Sequence, residues 1–102
     1  MRKNNGSKKT VIRAKIPIMY MKEGDIYVCF TPALNLVSHG DTFEEAERNF
    51  AKSLKLFIRE VTRMGTWEEV LSECGWRKIN NRLTPPTILR ERLQQIQIPV
   101  TA

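Results

Sequence analysis

Histidine and cysteine are scarce in this sequence, and their scarcity limits the chemistry that the chain can perform. Its 102 residues include one histidine and two cysteines, whereas a structural zinc site needs about four ligands of Cys, His or carboxylate type. Cys29 and Cys74 both fall on apolar patterns, and we interpret them as small packed hydrophobic residues with reduced thiols. The sequence therefore predicts no metal site and no cofactor.

Long apolar runs are also missing. The longest, residues 16–21, contains Pro17, whereas a membrane-spanning helix needs about 20 predominantly apolar residues. The basic residues that follow Met1 are not succeeded by an apolar stretch of the signal-peptide type. We therefore expect a cytoplasmic protein that has no membrane segment, and the length suits one domain.

Groups suited to catalysis do not form a recognisable set. His39, the only histidine, directly precedes Gly40, and it could act as a base beside a suitable nucleophile. No nucleophile with a matching acid is evident by spacing, so a histidine in a turn at a strand end is the simpler interpretation. A metal-dependent nuclease using Asp41 or Glu44 would need carboxylates from several elements. We predict that the protein is not an enzyme, and keep a residual nuclease as a third alternative.

The net charge of +6 is concentrated at the two ends of the chain. Residues 1–10 carry four cations and no acid, and residues 77–102 carry five cations and one acid. This distribution is typical of contact with nucleic acid, or of solubility alone. Residues 1–9 lack apolar periodicity and are interpreted as a basic flexible arm, which precedes a single domain over residues 10–102.

Alternating apolar residues predict three strands in the first part of the chain. The pattern over residues 10–19 is that of a half-buried strand, and Pro17, which has no N–H, favours an edge position. Residues 22–25 read Lys-Glu-Gly-Asp and predict a hairpin turn into a second strand over residues 26–31. A short third strand is predicted over residues 34–39.

Two capping-box patterns predict two helices. Thr42 with Glu45, and Thr66 with Glu69, each place a hydroxyl three residues before a glutamate. The first helix is expected to run to Met64, before a glycine, and the second is short. The apolar residues of the first helix share one face: Ala46, Phe50, Leu54, Phe57, Ile58 and Val61.

Basic residues lie on the face of the first helix opposite its apolar face. At about 100° per residue they fall within about 80° of arc, over about 22 Å of helix. Like charges four residues apart destabilise a helix slightly. We interpret this basic stripe as a candidate contact for a protein partner or for nucleic acid, with a solvated face as the alternative. It comprises Arg48, Lys52, Lys55, Arg59 and Arg63.

The C-terminal part is predicted to be a connector followed by a strand. Residues 77–90 are rich in Asn and Pro, and residues 91–100 return to alternation. Unpaired strand edges recruit other strands, so Ile96, Ile98 and Val100 mark a candidate oligomer edge. The predicted order β-β-β-α-α-β indicates an α+β domain, an antiparallel sheet with helices on one face.

Residues 27–46, "YVCFTPALNLVSHGDTFEEA", resemble the HicB-like family. The resemblance is carried by Tyr27, by the Pro32-x-Leu34 pair and by Gly-Asp-Thr-x-Glu-Glu-Ala over residues 40–46. It implies a partial ribonuclease-H-like fold and frequent homo-oligomers. The best-known members are antitoxins that mask a HicA-like mRNA-cleaving toxin, and many add a DNA-binding module, for which no pattern follows Trp76.

These observations predict a non-enzymatic, protein-binding, homo-oligomeric domain of the HicB-like type, with antitoxin masking of a HicA-like toxin as its most concrete form. The alternative is a nucleic-acid-binding protein that uses the basic stripe and the basic termini.

Overall fold

The structure, a computed structural model, describes residues 11–101. The predicted arm over residues 1–9 lies outside the described part. The domain is α+β, with a three-stranded antiparallel sheet, two helices and a small two-stranded sheet. Its elements are β1 (Met19–Glu23), β2 (Ile26–Thr31), β3 (Leu36–Gly40), α1 (Phe43–Met64), α2 (Trp67–Glu73), β4 (Arg77–Ile79) and β5 (Arg82–Thr84).

The first hairpin confirms the predicted turn. Gly24 and Asp25 join β1 to β2, and Gly24 alone has a positive φ, +59°. A positive φ at the first of two loop residues is the requirement of a type II′ turn. The third strand begins later than predicted, because Asn35 takes a left-handed φ of 52° and leaves Leu34 in the turn.

The strand predicted for residues 10–19 is wrong over most of its length, because β1 begins only at its last residue, Met19. Pro17 cannot donate to a ladder and restricts the residue before it. Ile16 and Ile18 nevertheless pack against buried core residues. The alternation in this segment therefore reports partial burial without strand pairing.

The start of α1 confirms the predicted cap. The N–H of Glu45 donates to Oγ1 of Thr42 over 3.0 Å. The Glu45 carboxylate reaches back as expected, but it accepts a hydrogen bond from the N–H of Asp41, over 2.5 Å, and not from the N–H of Thr42. The capping box is thus closed one residue earlier than the sequence predicts.

The second predicted capping box is wrong, although α2 forms. Thr66 makes no side-chain cap bond to the first turn of α2, and Glu69 has no capping partner there. The N–H groups of Gly65 and Thr66 donate to the carbonyls of Thr62 and Val61. This is the Schellman ending of α1. Because Thr66 serves that ending with a ψ of 23°, it lacks the extended backbone typical of an N-cap.

One core cluster joins α1 to the sheet. Ala46 and Phe50, which are 1% and 4% exposed, pack against Cys29 on β2. Val61 is also buried, as its place on the apolar face predicts. The same prediction is wrong for Ile58, whose side chain is 44% exposed. The buried part of α1 is therefore narrower than the apolar face that the helical spacing predicts.

A second cluster joins α2 to the turn between β2 and β3. Leu71 and Trp76 pack against Ala33 and Leu34. The indole N–H of Trp76 donates to the carbonyl of Ala33 over 2.8 Å. This bond satisfies both groups inside the core. No helix in the described part of the chain is long and apolar enough to cross a membrane.

The C-terminal part departs most from the prediction. The connector over residues 77–90 contains the hairpin β4–β5, whose turn residues Asn80 and Asn81 both have positive φ, 53° and 64°, as a type I′ turn requires. The strand predicted for residues 91–100 is wrong for this single chain. A strand needs a neighbour for its backbone groups, and the described body places none beside this segment.

Candidate binding surfaces

The Gly-Asp-Thr-x-Glu-Glu-Ala motif forms the junction between β3 and α1. A Cβ atom on Gly40 would lie 2.3 Å from the backbone nitrogen of Ala46, so only glycine permits this approach. Asp41 and Glu44 are both exposed. Within residues 11–101 no three His, Cys, Asp or Glu side chains are grouped so that they could hold a metal ion. Of the motif's polar side chains, those of Thr42 and Glu45 cap the start of α1.

His39 lies on β3 and is exposed. Its backbone carbonyl accepts a hydrogen bond from the side-chain amide of Asn49 on α1, over 2.8 Å. This contact ties α1 to the outer edge of β3. The structure therefore gives the residue before the motif a structural contact through its backbone.

The basic stripe is exposed along the whole of α1. Arg63 is paired with Glu60, with 2.8 Å between its Nε and the nearer carboxylate oxygen. The pair between Glu44 and Arg48, which the spacing favours, is not formed in the described chain. Four of the five cations thus have no carboxylate within 4.0 Å among residues 11–101.

An aromatic patch, made of Tyr20, Phe43, Glu44 and Glu47, lies where β1 meets the start of α1. The two ring centroids are 4.8 Å apart, and the rings are 43% and 40% exposed. The Tyr20 hydroxyl donates to the Glu47 carboxylate over 3.4 Å. Sequence reasoning missed this patch because only folding brings residues 20 and 43 together.

Burial governs the titration of the groups around this patch. Desolvation raises the pKa of the Tyr20 phenol, and the neighbouring Cys29 and Glu47 raise it further. Burial also raises the pKa of the Cys29 thiol. The phenol therefore stays protonated at neutral pH and remains a donor to the carboxylate.

The face of the sheet opposite α1 is mostly apolar, and we call it the open face. Pairing partners in an antiparallel ladder share a face, so the register with β2 assigns the residues. Val28, in the central strand, is 3% exposed, whereas Met21 and Val37 are 43% and 48% exposed. The open face comprises the apolar residues Met19, Met21, Ile26, Val28, Phe30 and Val37, together with Glu23 and His39.

The two edges of the sheet differ. Glu23 and Ile26 close the two-residue turn, so they form a hydrogen-bonded pair, and such pairs alternate along the ladder. The backbone groups of Tyr20 and Lys22 consequently point away from β2. By the same alternation those of His39 point outward from β3, where Asn49 already occupies the carbonyl. Among residues 11–101, one outward group of the β3 edge is therefore occupied, whereas no hydrogen bond is recorded for the outward groups of β1.

Residues 93–100, which we call the C-terminal arm, extend beyond the body of the domain. Leu93, Ile96, Ile98 and Val100 are 101%, 69%, 70% and 84% exposed. None of them belongs to either core cluster. The candidate oligomer edge is thus accessible in the single chain.

One open groove, with a volume of about 390 Å³, lies between α2 and the β4–β5 hairpin. Its walls include Trp67, Leu71, Trp76 and Leu83. Its charged groups are Glu68 and Lys78, and neither histidine nor cysteine lines it. This groove therefore offers shape and mainly apolar contact, with one group of each charge at its walls.

No protein-family model, curated protein sequence or solved structure matches this chain. The family resemblance accordingly rests on the sequence of residues 27–46 alone.

Proposed function

We propose that this chain is a non-enzymatic protein-binding domain of the HicB-like type, and that it acts as an antitoxin by masking a HicA-like mRNA-cleaving toxin. The observation that carries the proposal is the aromatic patch, in which two exposed rings contact each other at a tilt, Glu47 accepts from one of them and Glu44 lies in the adjoining first turn of α1. Exposed aromatic side chains with a charged rim are typical of the energetic centres of protein interfaces.

The charge of the patch suits such a partner. A protein that cleaves RNA must bind phosphate groups, and it does so with cationic side chains. Glu44 and Glu47 would bind those cations in place of the RNA, while Tyr20 and Phe43 supply apolar contact area. The Glu47 carboxylate also orients the Tyr20 hydroxyl, which lowers the entropic cost of binding.

The test uses the small basic protein encoded beside this chain in its source organism, if the gene is present. The two proteins are co-expressed, isolated through a tag on this chain, and assayed for mRNA cleavage. We expect co-purification and inhibition, and we expect Phe43→Ala with Glu44→Lys to weaken inhibition at least about tenfold. Recovery of this chain alone, or full inhibition by that variant, contradicts the proposal.

A matched control is available on the same helix. Leu56 is 57% exposed and lies on α1 away from the patch, so Leu56→Ala removes similar apolar surface without touching the rings. It should inhibit like the unmodified chain. Equal losses for both variants would indicate a general effect on α1, and the assignment of the patch would be wrong.

A second candidate function, nucleic-acid binding, is favoured by the four stripe cations that lack carboxylate partners. Contacts to about four phosphates of duplex DNA predict a slope of about −3.6 for log affinity against log salt concentration. Fluorescence anisotropy with labelled duplex DNA or RNA at several salt concentrations measures this slope. No salt-dependent binding at low ionic strength eliminates this function.

Charge reversal identifies the surface. Changing Lys52, Lys55 and Arg59 to Glu should abolish binding if the stripe is the contact. The matched control changes Arg13, Lys15 and Lys22 to Glu; these residues are exposed, lie outside the stripe and outside both basic ends, and give the same change in net charge. If both variants lose binding equally, the attraction is to the total charge and the stripe is not a specific contact.

A further inference from the structure

We propose that two copies of this chain exchange their C-terminal arms, so that the arm of each copy adds as a strand to the β1 edge of the other. The occupant of the β1 edge is thus a second copy. This pairing does not depend on the proposed antitoxin function, and it assigns an interface that uses neither the aromatic rings nor the basic stripe.

The arm is built as a strand without a neighbour. Ile96, Ile98 and Val100 alternate with Gln95, Gln97 and Pro99, and the three apolar side chains are 69%, 70% and 84% exposed. Apolar groups in that pattern are suited to one buried sheet face. Among residues 11–101, none of the three belongs to either core cluster.

The acceptor is selected by what already occupies the two edges. On β3 the side-chain amide of Asn49 takes the outward carbonyl of His39, so a strand added at that edge would displace this bond. On β1 the outward N–H and C=O groups of Tyr20 and Lys22 have no backbone partner among residues 11–101. A strand can therefore be added at β1 without displacing any contact.

The position of Pro99 indicates which edge of the C-terminal arm forms hydrogen bonds with β1. Successive residues of a strand direct their N–H groups to opposite edges, so the edge of the odd-numbered arm residues lacks a donor at Pro99. The even-numbered edge is complete. It is the edge expected to bond to Tyr20 and Lys22.

Parallel pairing then brings apolar surfaces of both copies together. In a parallel ladder, a residue whose N–H and C=O point to the adjacent strand bonds to two residues of that strand. These two residues flank a third, and the bonding residue lies beside that third residue. If Ile98 spans Tyr20 and Lys22, its side chain lies beside Met21, and that of Ile96 lies beside Met19. Both isoleucines thereby extend the open face, where Met21 is 43% exposed. Antiparallel pairing would instead direct them to the face of Tyr20.

Disulfide trapping between two differently tagged full-length chains tests the pairing. One chain carries Met21→Cys and the other Ile98→Cys, and we expect a mixed cross-linked dimer under mild oxidation. Val37→Cys is the matched control, because Val37 is exposed on the same face but lies two strands, about 10 Å, further from the edge. The unmodified chain, which keeps Cys29 and Cys74, shows whether these native thiols form cross-links of their own. Equal trapping at positions 21 and 37 overturns the proposal, as does trapping at position 20 in place of 21.

A change in the backbone provides a second, independent test. Lys22→Pro removes one outward N–H while leaving the groups that face β2, whereas Lys22→Ala keeps that N–H. Light scattering should show dimers for the unmodified chain and for Lys22→Ala. For Lys22→Pro, and for deletion of residues 93–102, the dissociation constant of the dimer should rise at least about tenfold, as expected for lost edge hydrogen bonds.

Three outcomes overturn arm exchange. They are a monomeric unmodified chain, a dimer that survives deletion of the arm, and a monomer whose Tyr20 and Lys22 amides are protected from hydrogen exchange by its own arm. Circular dichroism checks whether Lys22→Pro is folded, and deletion of residues 93–102 tests the pairing without any change in β1. Because neither variant alters Phe43 or Glu44, failure here is distinguishable from failure of the proposed toxin contact.

Discussion

Replacing Gly40 by alanine tests how the β3–α1 junction is built. A Cβ at this position would lie 2.3 Å from the nitrogen of Ala46 and 2.8 Å from its Cα. Both atoms belong to the backbone, so no rotamer change relieves the overlap. The start of α1 must move away from the end of β3 to admit a single methyl group.

The size of that movement sets the cost. Carbon atoms pack at about 3.5–4.0 Å, so contacts of 2.3 Å and 2.8 Å require a separation of about 1 Å. A gap of that width forfeits a quarter to a half of the dispersion energy of the contacts it opens. Those contacts include Ala46 and Phe50 against Cys29. The lost contacts and the overpacking strain act together, so we expect Gly40→Ala to lower the free energy of unfolding by about 3 kcal/mol.

Urea denaturation and thermal unfolding measure this loss. A decrease of about 3 kcal/mol corresponds to a melting temperature lower by about 12 °C or more in a domain of this size. The control is Gly24→Ala, because Gly24 has a φ of +59° but no atom within 4 Å of an added Cβ. Backbone strain alone should cost it about 1–2 kcal/mol. If Gly40→Ala is no more destabilised than this control, or is rescued by Ala46→Gly, the backbone overlap is not the cause and the reasoning is refuted.

Three further predictions concern caps, a buried bond and thiol reactivity. Thr42→Ala should cost about 1 kcal/mol of stability in urea denaturation, whereas Thr66→Ala, which loses no cap bond, should cost less than about 0.5 kcal/mol; equal costs contradict the cap assignments. Trp76→Phe leaves a buried carbonyl without its donor and should cost about 1–3 kcal/mol in the same assay; an unchanged denaturation midpoint contradicts that role. Burial raises the pKa of the thiols of both Cys29 and Cys74. Because reaction needs the thiolate, both should react more slowly than free cysteine at pH 8 and faster as pH rises. Cys29, which is 0% exposed, should also react more slowly than Cys74 with a chromogenic disulfide, and equal rates contradict its burial.

Local patterns were sufficient to predict the helices and the first hairpin. The Thr42 hydroxyl, the glutamate three residues later and Gly65 act within one or two turns of α1, so their spacing along the chain determines their contacts. Gly24 likewise acts within a two-residue loop. The turn at Asn80 and Asn81 was equally local, and its Asn-Asn signal for a type I′ hairpin was present in the sequence.

Strand assignments failed where a partner was needed. Alternation over residues 10–19 and 91–100 reports which side chains are apolar, but a strand also requires a neighbouring edge. Pro17 prevents pairing in the first segment. In the second, the edge at β1 is open but the arm does not reach it within the single chain. Thr66 failed as a cap because its backbone already completes the ending of α1.

By itself, the sequence determined the elements whose stabilising contacts lie within a few residues, together with the face of α1 that carries the basic stripe. Only the tertiary structure placed Tyr20 against Phe43, tied Asn49 to β3 and left the β1 edge open. The reason is physical: caps and turns depend on spacing along the chain, whereas surfaces and edges depend on which distant segments come together and on what those segments leave uncovered.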